Sequence, residues 1–326
     1  MPKVTVIIPV YNVEQYIEKC VRSLFSQTLD DIEYIFVNDC TKDKSIDIIK
    51  NVLEEYPVRK EQVKIIETKK NSGQAEARKM GIKYATGDYI IHCDSDDWVE
   101  PDAYEILYDK AIKNNADIVC CNYNEIYPDK VIIFKFQHIS DKSVIMSSLI
   151  KGKLPGSLLC RLVRKDIVHD KRIYNPVAPP SEDFVLMLQY VYYSSTFRYV
   201  ETPLYNYLRR STSITGDAHS ADWKLNRSKQ SDMNFRIAER FVEEQNLERK
   251  FRASLLYSKF SKKMQLLPIV RELKSERIWI ERFPEINMRL FFSKEITFKD
   301  KFLSLLILLN LYILVLKISR CIKYKK

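Results

Sequence analysis

The sequence predicts an α/β protein with a mostly parallel sheet, helices on both faces and a helical C-terminal extension. Two observations support this fold class. In residues 1–115, four short apolar runs alternate with four segments of helical spacing. The first run, Val4–Val10, is almost continuously apolar, as a strand buried on both faces requires. A chain of 326 residues can hold one large domain with additions, or two domains.

The predicted elements alternate regularly. Proline cannot donate a backbone hydrogen bond, so we expect the first strand to end at Pro9. The other predicted strands of the first half are Ile32–Val37, Val63–Glu67 and Tyr89–Cys93, and the predicted helices are 13–27, 41–53, 75–85 and 102–115. Beyond them, the spacing predicts strands at 116–123 and 131–136 and helices at 141–150, 184–193, 221–245 and 249–267.

Polar residues follow three of these strands. They are Asn12, Asp39 and the pair Asp94 and Asp96. The carboxyl ends of parallel strands meet at one edge of a sheet, where open α/β sheets bind ligands. The chain has no G-x-G-x-x-G and no P-loop motif, so a dinucleotide-binding or P-loop protein would lack its phosphate cradle. The edge is nevertheless lined with groups suited to a nucleotide.

Three aspartates lie within four residues in Asp94-Ser95-Asp96-Asp97. Their charges repel one another, and a hard divalent cation would remove that repulsion. Carboxylate oxygens are ligands that Mg²⁺ and Mn²⁺ prefer, and such ions are held by one or two carboxylates plus substrate phosphates. We therefore expect this acidic cluster to hold a divalent metal ion. The alternative is a solvated acidic turn that caps the following helix.

Five motifs in the first hundred residues resemble those of the family 2 glycosyltransferases. The matching stretches are Val6–Asn12, Val37-Asn38-Asp39 with Thr41 and Asp43, Asn71-Ser72-Gly73 with Ala77, Arg78 and Gly81, Gly87–Ile90, and Asp94–Asp97. The resemblance implies the Rossmann-like nucleotide-sugar-binding fold called GT-A. Two residues depart from the family pattern: Cys40 stands where glycine is usual, and Cys93 stands where leucine is usual.

The resemblance also implies roles for single residues at the base end of the nucleotide. Pro9 and Tyr11 would form the wall on which uracil stacks. Asp39 would accept a hydrogen bond from the uracil imide, which makes UDP the expected nucleotide. Asn71 and Gly73 would let the backbone approach the nucleotide closely.

Further implied roles belong to the sugar and phosphate end. Arg78 would contact the nucleotide through its charge. Asp94 would meet the ribose or the metal, and Asp96 would hold the metal that bridges both phosphates. Asn12 and Ser95 complete the expected nucleotide-binding set.

A second acidic signal is Glu182-Asp183, which follows Ser181. One interpretation is helix capping, in which the Ser181 side chain caps the helix and the carboxylates favour its first turn. The other is catalytic, because inverting transfer needs a carboxylate that removes the proton of the acceptor hydroxyl. The family carries an acidic pair here whose second member is the base. The resemblance thus implies that Asp183 is the base and Glu182 an acceptor contact.

A third signal is the stretch from Tyr205 to Ile214, with two adjacent arginines and several hydroxyls. Guanidinium groups suit phosphate oxygens. The family has a similar loop that closes over the diphosphate, which implies that Arg209, Arg210 and Ser213 contact the phosphates. His219 follows in a region where some members use a histidine near the metal, although a lone histidine is more often a surface residue.

The C-terminal part is basic: residues 201–326 carry 26 Lys and Arg against 14 Asp and Glu. Residues 302–316 contain no charge, and five basic residues follow them. This run is shorter than the ~20 apolar residues that span a bilayer, so we expect a helix that lies in the inner leaflet with its basic tail on anionic lipid. Packing on the protein's own core or on a homodimer partner is the alternative. We expect no nucleic-acid binding, because aromatics do not interleave with the lysines.

Cellular location follows from two further features. Seven cysteines without a C-x-x-C pair predict reduced core thiols in a cytosolic compartment. Pro2 and Lys3 lead directly into a strand, so we expect no signal peptide. The predicted protein is cytoplasmic and peripheral on the inner face of the cell membrane.

The predicted function is an inverting, metal-dependent glycosyltransferase. It would move a sugar from a UDP-sugar to a hydroxyl of a glycan or lipid-linked acceptor in cell-surface polysaccharide synthesis. The predicted catalytic domain is 1–216, with a nucleotide-sugar half (1–115) and an acceptor half (116–216), and the predicted extension is 217–326. The alternatives are a sugar-phosphate nucleotidyltransferase, whose glycine-rich loop after the first strand is missing, and a non-catalytic membrane-surface binding protein.

Overall fold

The computed structural model describes residues 1–170, 172–176, 180–210 and 220–323. Nine strands lie in these ranges: β1 (Val4–Val10), β2 (Ile32–Asn38), β3 (Val63–Glu67), β4 (Tyr89–His92), β5 (Trp98–Val99), β6 (Ile118–Ile126), β7 (Val131–Phe134), β8 (Arg161–Arg164) and β9 (Phe197–Leu208).

Thirteen α-helices complete the described ranges, with short 3₁₀ segments between some of them. They are α1 (Ile17–Phe25), α2 (Ser45–Glu54), α3 (Gln74–Tyr84), α4 (Ala103–Lys113), α5 (Lys142–Ile150), α6 (Lys165–Val168), α7 (Glu182–Tyr193), α8 (Ala221–Glu244), α9 (Glu248–Met264), α10 (Leu267–Leu273), α11 (Arg277–Glu281), α12 (Phe298–Leu308) and α13 (Tyr312–Lys323).

All nine strands form one sheet, in the order β3-β2-β1-β4-β8-β6-β9-β5, with β7 paired to β6. The first four strands in this order are parallel. The second half is mixed, because β8 is antiparallel to both β4 and β6, while β9 is parallel to β6 and antiparallel to β5. The predicted α/β fold class is confirmed, and the parallel pairing of the sheet is concentrated in β1 to β4.

The predicted elements of residues 1–115 are all present, with small shifts at their ends. Strand β1 continues past Pro9 to Val10. This is possible because the last β1–β4 pair is Ile7 with His92, so Pro9 lies beyond the end of that ladder. Strands β5, β8 and β9 are not among the predicted elements. Strand β9 contains Pro203, and its pairing with β6 is irregular at Asn122. The sequence of β9 therefore lacks the regular alternation that predicts a strand.

Two hydrophobic clusters cover the two faces of the sheet. In the interior strand β1, Val6 and Ile8 pack into the cluster that contains α1, α2 and α4. The neighbouring residue Ile7 points to the other face, as the alternation of a strand requires, and packs into the cluster that contains α3, α5 and α7. This second cluster continues through the C-terminal helices as far as Tyr312. The C-terminal region therefore shares a hydrophobic core with the sheet.

The apolar run 302–316 is divided between two helices, so the prediction of one continuous helix is wrong. Asn310 adopts a left-handed conformation with φ 56°. Next to it, the amide of Leu311 donates to the carbonyl of Leu306 at 2.8 Å. This is the 6→1 hydrogen bond of the Schellman motif, which ends a helix. Within the described residues, every helix is too short or too polar to cross a membrane.

Candidate functional site

The polar residues that follow β1, β2 and β4 lie at one edge of the sheet, as predicted. The three strands are neighbours and parallel, so Asn12, Asp39 and Asp94 follow strand ends on the same side. Next to Asn12, Tyr11 exposes 43% of its surface, which leaves its ring accessible to a ligand. The expected base wall of Pro9 and Tyr11 stays a prediction.

Asp39 is buried and organises the loop that follows β3. One carboxylate oxygen accepts hydrogen bonds from the Thr68 hydroxyl at 2.8 Å and the Ser72 amide at 2.9 Å. The other oxygen accepts from the Gly73 amide at 2.7 Å. The turn after Asp39 is tight, and Cys40 takes the left-handed conformation that glycine would favour, with φ 55°.

Asn71 and Gly73 belong to the loop that Asp39 holds. The Asn71 side-chain oxygen accepts from the Gly73 amide at 3.2 Å, and Gly73, which immediately precedes α3, has φ 83°. Asp39 therefore shapes this loop whether or not it also meets the base. The predicted hydrogen bond from uracil would go to the Asp39 carboxylate, which already accepts from three protein donors.

Asp94, Asp96 and Asp97 each place a carboxylate oxygen within 4.8 Å of the others. They are not equivalent. Asp97 is 1% exposed, and its oxygens accept from the Tyr205 hydroxyl at 2.6 Å and the Leu208 amide at 2.8 Å. Asp94 and Asp96 are partly exposed. Thus Asp97 anchors β9, and the two residues predicted as metal ligands are the two that remain accessible.

The crowding of these carboxylates affects their protonation. Burial raises the pKa of Asp96, and the negative charge of Asp94 raises it further, against the opposing effect of Arg210. Burial and the negative charges of Asp94 and Asp96 raise the pKa of Asp97 well above its ordinary value. A divalent cation at Asp94 and Asp96 would relieve this repulsion, so the donor set fits Mg²⁺ or Mn²⁺.

The adjacent arginines at the end of β9 point to different partners. Arg210 forms an ion pair with Asp96, and its guanidinium lies 4.4 Å from the centre of the Tyr16 ring. Arg209 instead pairs with Glu125 of β6. The prediction of a phosphate contact is therefore better supported for Arg210. Ser213 and His219 lie outside the described residues.

Arg78 links the two halves of the site. This side chain of α3 is 3% exposed, and it donates to Asp94 at 2.8 Å and forms an ion pair with Asp183 at the start of α7. Asp183 also accepts from the Leu158 amide at 3.2 Å. The predicted base therefore lies beside the predicted donor site. Arg78 was predicted to contact the nucleotide, but in this structure its terminal nitrogens are occupied by the two carboxylates.

Asp183 and Glu182 are both held in a poorly hydrated environment. Burial raises the pKa of Asp183, although the Arg78 cation acts in the opposite direction. Burial also raises the pKa of Glu182, and the charge of Asp183 adds to that rise. The alternative interpretation, capping by the Ser181 side chain, is not supported, because Ser181 occupies the N-cap position but makes no capping hydrogen bond and contacts Ser231 instead.

Sequence reasoning missed several residues that shape the site. Gln74 donates to Asp94 at 2.8 Å, next to the bond from Arg78. Tyr205 donates to Asp97 and accepts from the Asp94 amide at 3.1 Å, so it couples β9 to the acidic cluster. The predicted phosphate loop started at Tyr205, but no local pattern indicated this contact. A cleft of about 330 Å³ adjoins the cluster and is lined by Tyr16, Lys19, Asp96, Trp98, Tyr127 and Arg209 among others.

Solved structures of other proteins share this fold. TarS from S. aureus in complex with UDP aligns over 98% of this chain and 91% of its own, with a TM-score of 0.59 and 16% identity. The mannosyltransferase PcManGT from Pyrobaculum calidifontis, in complex with GDP-Man and Mn²⁺, aligns over 95% of this chain and 86% of its own, with a TM-score of 0.51 and 14% identity. At these identities the likeness establishes the fold alone, which is the GT-A class.

Sequence similarity narrows the class to one family. The profile described as Glycosyl transferase family 2 matches residues 5–171, just over half of the chain. The chain therefore belongs to glycosyl transferase family 2. EpsH of Bacillus subtilis, named as a glycosyltransferase, is 34% identical over 65% of this chain and 62% of its own length. The glycosyltransferase GlyA of Streptococcus pneumoniae is 42% identical over 37% of this chain and 17% of its own. The chain thus spans less than two thirds of either relative.

We predict that Asp39→Asn destabilises the protein by about 1–3 kcal/mol. The side-chain NH₂ group of asparagine would face a backbone amide that donates to the carboxylate in the wild type, and that amide would lose its acceptor. Urea unfolding of the two proteins measures this difference. Asp30→Asn, at an exposed position, is the control and should change the free energy of unfolding by less than about 0.5 kcal/mol. Equal stability of Asp39→Asn and wild type would show that the loop does not depend on this carboxylate.

Proposed function

We propose that this protein is an inverting, metal-dependent glycosyltransferase. It transfers a sugar from a UDP-sugar to a hydroxyl of a glycan or lipid-linked acceptor in cell-surface polysaccharide synthesis. The observation that carries this proposal is the position of Arg78, which pairs with both Asp94 and Asp183. It supports a single site in which a proton acceptor lies next to the donor-binding carboxylates.

The proposed reaction has one displacement step. The acceptor hydroxyl oxygen attacks the anomeric carbon from the face opposite UDP, its proton passes to Asp183, and the bond between the sugar and the β-phosphate breaks. Burial raises the pKa of Asp183, which makes this carboxylate a better proton acceptor than an ordinary aspartate. Glu182 lies beside it and is proposed to contact the acceptor.

Charge develops on the diphosphate as it leaves. Asp94 and Asp96 are the proposed holders of Mg²⁺ or Mn²⁺, which when bound supplies positive charge to the diphosphate. Arg210 forms an ion pair with Asp96, so its guanidinium is proposed to contact the phosphate oxygens. Tyr11, Asn12, Asp39, Asn71 and Gly73 are proposed to receive the nucleoside.

We also propose that the C-terminal region docks on an anionic membrane surface at the cytoplasmic face. Among the described residues, ten of the twenty exposed large apolar side chains lie between Leu273 and Val315, including Phe292 at 85% and Phe298 at 84%. Residues 288–326 carry nine Lys and Arg against two Asp and Glu. Exposed aromatic groups next to basic ones suit a lipid surface with anionic headgroups.

The base assignment predicts that Asp183→Asn lowers kcat about 10²- to 10⁴-fold, because an amide cannot accept the proton. UDP binding, measured by calorimetry, should be almost unchanged. Turnover is measured as UDP release from a panel of UDP-sugars with Mg²⁺ or Mn²⁺, and EDTA should abolish it. Asp102→Asn, at an exposed position, is the control. Wild-type turnover in Asp183→Asn would refute the assignment.

The Arg78 contact predicts a shift in pH dependence. Arg78 opposes the rise of the Asp183 pKa, so in Arg78→Met that pKa should rise further and the base should stay protonated to higher pH. The acidic limb of kcat/KM should then move upward by about 1 pH unit or more. Arg78→Lys keeps the charge and should move it less, and Arg22→Met on the surface should leave it in place. An unmoved limb in a folded Arg78→Met protein would contradict the coupling.

The docking surface predicts cosedimentation with vesicles that contain phosphatidylglycerol and little binding to pure phosphatidylcholine vesicles. Replacing Phe292, Phe298 and Phe302 by serine should abolish binding, since each change removes exposed apolar area. The matched control replaces three exposed apolar residues of β7, Val131, Ile132 and Ile133, by serine. If the phenylalanine variant instead dissociated a dimer and left lipid binding intact, the surface would be a self-association surface.

A further inference from the structure

Ser181 precedes the acidic pair in an unusual backbone conformation. Its φ is 74°, in the left-handed region that residues other than glycine rarely adopt. Ser181 immediately precedes α7, which begins at Glu182, so the direction in which Asp183 projects depends on this residue. Such a conformation persists only where surrounding contacts hold it.

The contacts that hold Ser181 come from the C-terminal helices. The Ser181 hydroxyl lies 2.8 Å from the Ser231 hydroxyl of α8. Lys262 of α9 donates to the same Ser231 oxygen at 2.7 Å. An ammonium group can only donate, and a hydroxyl oxygen has two acceptor lone pairs, so Ser231 accepts from Lys262 and can either accept from Ser181 or donate to it. Burial lowers the pKa of Lys262 to about 8, which still leaves it mainly charged at neutral pH.

Helix α8 also holds the residues on both sides of Ser181. The Asn234 side chain donates to the Pro180 carbonyl at 2.9 Å. Phe235 stacks on Phe184, with ring centres 6.4 Å apart and an angle of 10° between the planes. Residues 180, 181 and 184 therefore all contact one face of α8, and the acidic pair lies between them.

We propose that Ser231 and Lys262 are positioning residues for the catalytic base. Through the hydroxyl of Ser181, they hold the start of α7 so that the Asp183 carboxylate meets Arg78 and the Leu158 amide. This inference rests on the proposed function of Asp183. It assigns the C-terminal helices a role in the transfer step, separate from their role at a membrane surface.

The test compares Ser231→Ala and Lys262→Met with Ser231→Thr, which keeps the hydroxyl. The first two should lose about 10- to 100-fold in kcat with an unchanged KM for the UDP-sugar, a loss of the size typical for groups that orient an active-site ligand. Ser231→Thr should retain most of the activity, and Lys229→Met on the exposed side of α8 is the control.

The pH profile separates positioning from a general loss of stability. Displacement of Asp183 from Arg78 should move the acidic limb of kcat/KM to higher pH in Ser231→Ala and leave it in place in Ser231→Thr. Equal activity and equal pH profiles in Ser231→Ala and wild type would overturn the inference.

A crystal structure of Ser231→Ala tests the geometry without reference to activity. We expect residue 181 to leave its left-handed conformation and Asp183 to separate from Arg78. An unchanged ion pair would overturn the positioning role even if the wild-type protein transferred no sugar. Absence of UDP release from wild type, with the expected displacement in the variant, would instead count against the proposed function alone.

Discussion

The site is built around a cation buried between two carboxylates. Arg78 is almost completely enclosed, and its charge is compensated by Asp94 from the end of β4 and Asp183 from the start of α7. Desolvation of a charge is expensive, and loss of one partner leaves an uncompensated charge in the interior. The two halves of the fold are therefore tied together at the place where a donor and an acceptor would meet.

Close packing of α3 on the sheet makes this arrangement possible. Gly81 lies almost one turn after Arg78, and a Cβ atom there would come within 2.4 Å of the Ile7 side chain. Glycine therefore lets α3 approach β1 closely. On the other side of Asp183, Gly156 lies against the backbone of Phe184, where a Cβ would be 2.9 Å from the Cα atom. Small residues on both sides bring the charged groups within contact distance.

The C-terminal helices are part of the same packing unit. A single hydrophobic cluster extends from Ile7 in the central strand to Tyr312 in α13. Hydrogen bonds from α8 reach Pro180 and Ser181 beside the acidic pair. The proposed boundary at 216/217 stays a prediction, but the extension is physically coupled to the region that carries the proposed base. Its exposed phenylalanines lie away from this core and remain available to a partner.

The sequence by itself determined the βα alternation and the polar ends of β1, β2 and β4, because local periodicity specifies an element and parallel strands bring their ends together. It did not reveal β9, the division of the apolar run at Asn310, or which aspartate is buried. Only the tertiary structure decided that Asp97 anchors Tyr205, and that Arg210 meets Asp96 while Arg209 pairs with Glu125. It also decided that Ser181 contacts Ser231, which accepts a hydrogen bond from Lys262. The physical reason is that these contacts join distant parts of the chain, where packing and desolvation, rather than local spacing, select the partner.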